Sequence, residues 1–212
     1  MKSVLISGTG TEVGKTYTAS KLTRHLVHNN HSVQIVKVVE TGVSVGNEID
    51  SRIIAQGLEC NQVSSHTLCS FEYPMAPFDA AKLENKELSY SKVLNKIEDL
   101  STSSDYRILE GAGGIAVPLD KDPDKDWLRL AIDLKVDLLL LVIKEELGAI
   151  NQARMVYQYC KKAEAHSIPI TLFLNAHETI ANELKVSHER TLNACNIHWT
   201  RDVEELITML EK

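Results

Sequence analysis

Along this chain, short apolar runs rich in β-branched residues recur, each followed by a polar turn and then by a stretch with apolar residues three or four apart. The short runs predict strands, and the wider spacing predicts helices with one buried face. Val4-Leu5-Ile6 predicts the first strand, Gly8 to Gly14 a loop, and Ala19, Leu22 and Leu26 the inner face of the first helix. Further strands are predicted at Val33 to Val39, Tyr106 to Leu109, Leu138 to Ile143 and Ile168 to Leu174, with helical spacing at Val93, Ile97 and Leu100 between two of them. Alternating strands and helices predict βα units and a parallel sheet. Leu138 to Ile143 has no polar member, as expected of a central strand covered by helices on both faces. The expected fold class is therefore α/β, with a doubly wound, mainly parallel sheet. Such sheets bind ligands beyond the carboxyl ends of their strands, so the chemistry is sought just after each run.

Composition narrows this picture. With 212 residues and 43% hydrophobic content, the chain is long enough to bury one sizeable core, and a single domain spanning 1–212 is expected. Its longest unbroken apolar run, Leu138 to Ile143, is far shorter than the roughly 20 residues needed to cross a bilayer, and the first residues carry no signal-peptide pattern. A cytoplasmic protein is expected. Cys60, Cys69, Cys160 and Cys195 form no Cys-x-x-Cys pair, which fits reduced thiols. A net charge of -6 with no Lys or Arg cluster provides no attraction for nucleic acid or an anionic membrane, so any anionic ligand must be captured locally.

The loop Gly8-Thr9-Gly10-Thr11-Glu12-Val13-Gly14-Lys15-Thr16 lies between a predicted strand and a predicted helix, the context that a phosphate-cradling loop requires. Glycines let backbone amides curl inward, and the helix N-terminus adds partial positive charge. Lys15 would neutralise terminal phosphates, and the Thr16 hydroxyl suits Mg²⁺, a hard cation that prefers oxygen. Five residues separate Gly8 from Gly14, where the common motif has four.

Three more segments end predicted strands. Lys37-Val38-Val39-Glu40-Thr41-Gly42 puts a second lysine at the ligand edge; by itself the signal is weak and reads rather as a surface lysine at a strand end. Glu110-Gly111-Ala112-Gly113-Gly114 puts a carboxylate at a strand tip, a metal-ligand position, with small residues that allow close backbone approach. Asn151, in Leu147-Gly148-Ala149-Ile150-Asn151, and Asn175 also follow strands, though either also fits a turn or a cap. Asp120, Asp122 and Asp124 alternate like a calcium loop, but Lys125 and Ala131 occupy its sixth and twelfth positions, so a solvated acidic loop is expected.

Taken in order, these segments make the chain resemble the dethiobiotin synthetase family, whose pattern is Gly-Thr-Asp-Thr-Glu-Val-Gly-Lys-Thr, Lys-Pro-x-x-Thr-Gly, Glu-Gly-Ala-Gly-Gly, Gly-x-Ile-Asn and a late Asn. The resemblance spans Gly8 to Asn175, and the five-residue loop spacing is the one this family uses. Gly10 stands where the family has Asp, Val38 where it has Pro, and Ile197-His198-Trp199 where it commonly has Ile-Pro-Trp.

The resemblance implies a P-loop NTPase-like fold and an ATP- and Mg²⁺-dependent enzyme that makes dethiobiotin from 7,8-diaminopelargonate and CO₂. It implies that Lys15 and Lys37 are catalytic and hold the carbamate and γ-phosphate. Glu12, Val13, Gly14, Lys15, Thr16 and Tyr17, with Glu110, Gly111, Ala112 and Gly113, would bind nucleotide. Thr16, Asp50 and Glu110 would bind Mg²⁺, Thr41 and Lys37 would meet substrate, and Asn175 would recognise adenine. Asn151 would reach substrate on a neighbouring subunit, since family members are homodimers. A partitioning-type switch ATPase shares the fold and is the alternative. Such proteins usually carry an extra lysine early in the loop and a basic or amphipathic surface, whereas Gly10 stands in this loop and the tail after Asp202 is acidic.

Overall fold

The structure, a computed structural model, describes residues 1–43, 50–58, 61–101, 103–176 and 180–211; Cys60 lies outside the described residues. In chain order the elements are β1 (Lys2–Gly8), α1 (Lys15–His28), β2 (Val33–Lys37), β3 (Glu40–Thr41), α2 (Asp50–Ala55), β4 (Val63–Thr67), β5 (Ser70–Phe71), α3 (Pro77–Leu83), α4 (Tyr90–Glu98), β6 (Tyr106–Glu110) and α5 (Trp127–Leu134). They continue as β7 (Leu138–Glu145), α6 (Ala149–Cys160), a 3₁₀ helix (Lys161–His166), β8 (Ile170–Ala176), α7 (Asn182–Ala194), β9 (Trp199–Thr200) and α8 (Val203–Glu211). Among the described residues the main sheet runs β4-β2-β6-β1-β7-β8-β9 and every pairing is parallel.

The period of two along each strand explains why both faces are filled. On β7, Leu139, Leu141 and Ile143 pack into one core, while Leu138, Leu140 and Val142 pack into the other. The first core is closed by α3, α4, α5 and α6 through residues such as Ala80, Val93, Leu128 and Ala153, and the second by α1, α2 and α8 through Leu22, Ile54 and Leu206. Each fully buried Leu or Ile contributes about 1.5–3 kcal/mol, so a run with no polar residue is what a two-sided strand needs. The doubly wound expectation holds. No helix among the described residues is long and apolar enough to cross a membrane.

Strand limits differ from expectation at two places, each for a local reason. β2 stops at Lys37, although Val38 and Val39 remain fully buried, because the chain then turns so that Glu40 and Thr41 pair with Ser70 and Phe71 in a separate two-stranded sheet. β8 begins at Ile170, since Pro169 has no N–H for the ladder and contributes only its carbonyl, which accepts the Leu139 N–H.

Candidate active site

The carboxyl ends of β1, β2 and β6 meet at a cavity of about 380 Å³ lined by Thr11, Glu12, Gly14, Lys15, Thr16, Lys37, Glu40, Thr41, Asp50, Glu110, Ala112 and Gly113. The loop between β1 and α1 forms one wall. Gly14 caps α1 with φ of 99°, a backbone conformation that calls for glycine, and a Cβ there would sit 2.0 Å from the Asn175 Nδ2, which would have to move. Glu12 also takes a left-handed conformation, φ 57°, uncommon for a side-chain-bearing residue and consistent with a tightly curled loop. The first turn of α1 leaves backbone N–H groups without helical partners, and its dipole is positive at that end.

Opposite the loop, strand register assembles the charges. Lys37 of β2 and Glu110 of β6 are paired positions on adjacent strands, so their side chains leave the sheet together. The Lys37 Nζ lies 2.7 Å from the Glu110 Oε1 and 2.7 Å from an Asp50 carboxylate oxygen at the start of α2. Thr16 donates its hydroxyl to the same Glu110 oxygen at 2.7 Å, and Lys15 donates to the Gly10 carbonyl at 2.6 Å. Lys15, Lys37, Glu40 and Glu110 are all buried. Burial and the neighbouring Lys37 push the Lys15 ammonium down to about 8. Burial would also lower Lys37, but Glu110 and Asp50 hold it above its ordinary value.

The oxygen set suits magnesium. Thr16, Asp50 and Glu110 present only hard oxygen donors around one cavity, and the Glu110 Oε2 is buried without a hydrogen-bond partner among the described residues. Mg²⁺ is usually held by one or two carboxylates plus substrate phosphates, so a three-acid cage is not needed.

Two departures from the family pattern have local explanations. A Cβ at Gly10 would meet nothing within 4 Å, so the loop neither requires nor forbids a side chain there. Val38, unlike proline, donates its N–H to the Glu110 carbonyl at 3.1 Å, extending the β2–β6 ladder just past Lys37.

Ten of the residues expected from sequence line the cavity: Glu12, Gly14, Lys15, Thr16, Lys37, Thr41, Asp50, Glu110, Ala112 and Gly113. Val13 instead buries its side chain in the core beneath the loop, and Tyr17 is 53% exposed on α1. Gly111 faces away from the cavity lining, and its smallness answers to packing: a Cβ there would lie 3.0 Å from the Trp127 indole. Asn175 braces the loop by donating from Nδ2 to the Val13 carbonyl at 3.0 Å. Asn151 is exposed on α6, away from this cavity. Near Asn175, the buried Glu145 at the tip of β7 accepts from the Arg201 Nε at 2.7 Å and pairs with His188 at 3.0 Å, tying α7 and the chain after β9 to the sheet.

Glu40 lines the cavity without having been singled out in the sequence. Its signal was present, an acidic residue at a strand tip within the Lys37 segment, but without register it had no defined neighbour. A second, largely apolar trough of about 430 Å³ shares Thr11 and Gly113 with the cavity and is otherwise lined by Gly8 to Gly10, Gly114 to Val117, and Val156.

Comparison with known proteins adds independent findings. The AAA domain family model matches residues 2–198. The ATP-dependent dethiobiotin synthetase BioD of Bacillus subtilis (strain 168) is 31% identical over 172 residues, covering 80% of this chain and 72% of that protein. The enzyme of the same name from Aquifex aeolicus (strain VF5) is 33% identical over 170 residues, 80% and 74% of the two chains. That of Wolinella succinogenes is 33% identical over 184 residues, 84% and 82%. Among solved structures, a ParA family ATPase from Chlorobium tepidum TLS superposes with a TM-score of 0.57 at 17% identity, covering 99% of this chain and 88% of that one. A plasmid partition protein from Borrelia burgdorferi gives 0.57 at 15% identity, 99% and 96%. At such identities the two structures bear on fold alone.

Proposed function

We propose a function that starts from one premise: this chain belongs to the ATP-dependent dethiobiotin synthetase family. The reading is an ATP-dependent ligase that joins 7,8-diaminopelargonate and CO₂ into the cyclic urea of dethiobiotin, acting as a single domain in the cytoplasm.

A carbamate is a poor electrophile, so ring closure needs one of its oxygens turned into a leaving group. The nitrogen lone pair of one amine attacks CO₂ and an amine proton passes to solvent, leaving a carbamate. A carbamate oxygen then attacks the γ-phosphorus of ATP, the bond to ADP breaks, and a carbamic phosphate results. The second amine attacks its carbonyl carbon, phosphate departs with the electron pair, and the amine proton passes to solvent. Phosphoryl transfer demands mainly positioning and charge neutralisation from the protein. Lys15 and the loop amides hold the β- and γ-phosphates, and Lys37 bridges carbamate and γ-phosphate. Thr16, Asp50 and Glu110 are the residues that would hold Mg²⁺, which when bound neutralises charge on the phosphate oxygens.

The observation that carries this reading is the convergence of two buried lysines, one threonine hydroxyl and two carboxylates on one cavity beside a phosphate-type loop. Thr41 lies where it can meet the diamine, and the apolar trough suits the alkyl chain of the substrate. Asn175, which braces the loop through the Val13 carbonyl, is the residue that would meet adenine. A homodimer is the reading the resemblance implies, and two exposed apolar side chains flank Asn151 in sequence, Leu147 just before α6 and Met155 on it, 86% and 65% exposed. A second copy seated there would bring Asn151 to its substrate.

Incubation with ATP, Mg²⁺, bicarbonate and diaminopelargonate tests the function directly. Dethiobiotin and ADP are expected in equal amounts. ATP hydrolysis indifferent to the diamine would overturn it in favour of a switch ATPase.

Nucleotide binding should depend on pH in a defined direction. Lys15 in the free enzyme loses its proton near pH 8, whereas phosphate beside it favours the charged form. Binding above that point must therefore take up a proton, and affinity for ATP is expected to fall by up to tenfold per pH unit above about 8. Calorimetric titration across this range checks it; an affinity flat to about pH 9.5 would mean that Lys15 keeps its proton throughout and overturn this pH dependence.

A further inference from the structure

We propose that Glu40 is the amine-binding residue of the cavity, its Oε2 carboxylate oxygen accepting a hydrogen bond from an amino group of the diamine. This rests on the reading that the diamine enters this cavity.

The side chain is placed firmly. Glu40 lies on β3, paired with Ser70 of β5, and its N–H donates to the Cys69 carbonyl at 2.9 Å. It is only 6% exposed yet lines the cavity beside Lys37, Thr41, Asp50 and Glu110. One oxygen, Oε1, accepts the Asp50 N–H at 2.9 Å and so holds the start of α2. The other, Oε2, is buried and has no hydrogen-bond partner among the described residues. A buried acceptor without a donor is destabilising, and such an atom in a ligand cavity calls for a donor from the ligand.

The cavity's own cations are engaged elsewhere, Lys37 on Glu110 and Asp50, and Lys15 on the Gly10 carbonyl. A donor on the ligand would satisfy this oxygen. On the diamine, the carboxylate and the carbamate oxygens are acceptors, and only the nitrogens donate. An acceptor oxygen beside Lys37 thus selects the amine end of the substrate and orients it toward the lysine that would hold the carbamate.

Glu40→Gln separates this role from a structural one, because glutamine can still accept the Asp50 N–H through Oε1 but turns an amide donor toward the substrate amine. With the full-length enzyme, Glu40→Gln is expected to raise KM for diaminopelargonate by about 10- to 100-fold, the range of one charge-assisted hydrogen bond, while KM for ATP stays within about twofold. The urea midpoint should match wild type. Glu40→Ala, which loses both contacts, should show the same KM change with some loss of stability. A normal diamine KM in Glu40→Gln with impairment only in Glu40→Ala would reduce Glu40 to a brace for α2 and overturn the proposal. Equal rises in both KM values would do the same. Should wild-type enzyme make no dethiobiotin, the underlying reading falls, and this assignment with it.

Discussion

Replacing Lys15 with alanine is expected to lower turnover by about 10²- to 10³-fold, the typical loss for one preorganised charge-stabilising donor. Lys15 opens α1, is 7% exposed, and points its ammonium into the cavity edge, where it rests on the Gly10 carbonyl. In so desolvated a site its charge acts on phosphate far more strongly than it would in water. Alanine is the best helix former, so α1 should survive the change and the loss can be read as chemistry rather than unfolding. Lys37→Ala is expected to fall in the same range, because the two lysines flank the transferred group from different strands. Steady-state kcat with a circular dichroism check measures both. Wild-type turnover in both variants would refute the assignment of the cavity.

Removing the Glu110 carboxylate should act on stability and activity together. Glu110 is fully buried and accepts from both Thr16 and Lys37, so Glu110→Ala leaves a buried ammonium with Asp50 as its remaining partner. Breaking a buried ion pair from one side typically costs about 3–5 kcal/mol. The lower end is expected, since Asp50 lies 2.7 Å from the same ammonium. Urea unfolding measures this loss. Turnover should also lose its response to Mg²⁺, and Glu110→Gln, which keeps an acceptor oxygen but no charge, should recover much of the stability without the metal response. A Glu110→Ala protein as stable as wild type and still activated by Mg²⁺ would exclude Glu110 from both roles.

Edge elements were poorly legible in the sequence for a physical reason. β4, Val63-Ser-Ser-His-Thr, has one apolar residue because it is an edge strand with only β2 beside it, and β9 is two residues long. Neither needs the apolar run that marks a strand buried on both faces. Similarly, glycine at 111 was legible but its reason was not, since Trp127, which fills the space, arrives from α5.

What the chain determines by itself is what local physics writes into neighbouring residues. Burial on both faces demands the unbroken run of β7, one buried helix face demands the spacing of Ala19, Leu22 and Leu26, and a phosphate-type turn demands glycine before Lys15 and Thr16. Tertiary structure alone decided the company those residues keep. Lys37 and Glu110 are 73 positions apart and touch because β2 and β6 pair in one register; a shift by one residue would turn either side chain to the opposite face. Asp50 reaches them from α2, and Glu40, on β3 outside the main sheet, has an Oε2 with no hydrogen-bond partner among the described residues. Polar groups carry no periodicity that reveals their partners, since their energies depend on distances set by elements remote in sequence.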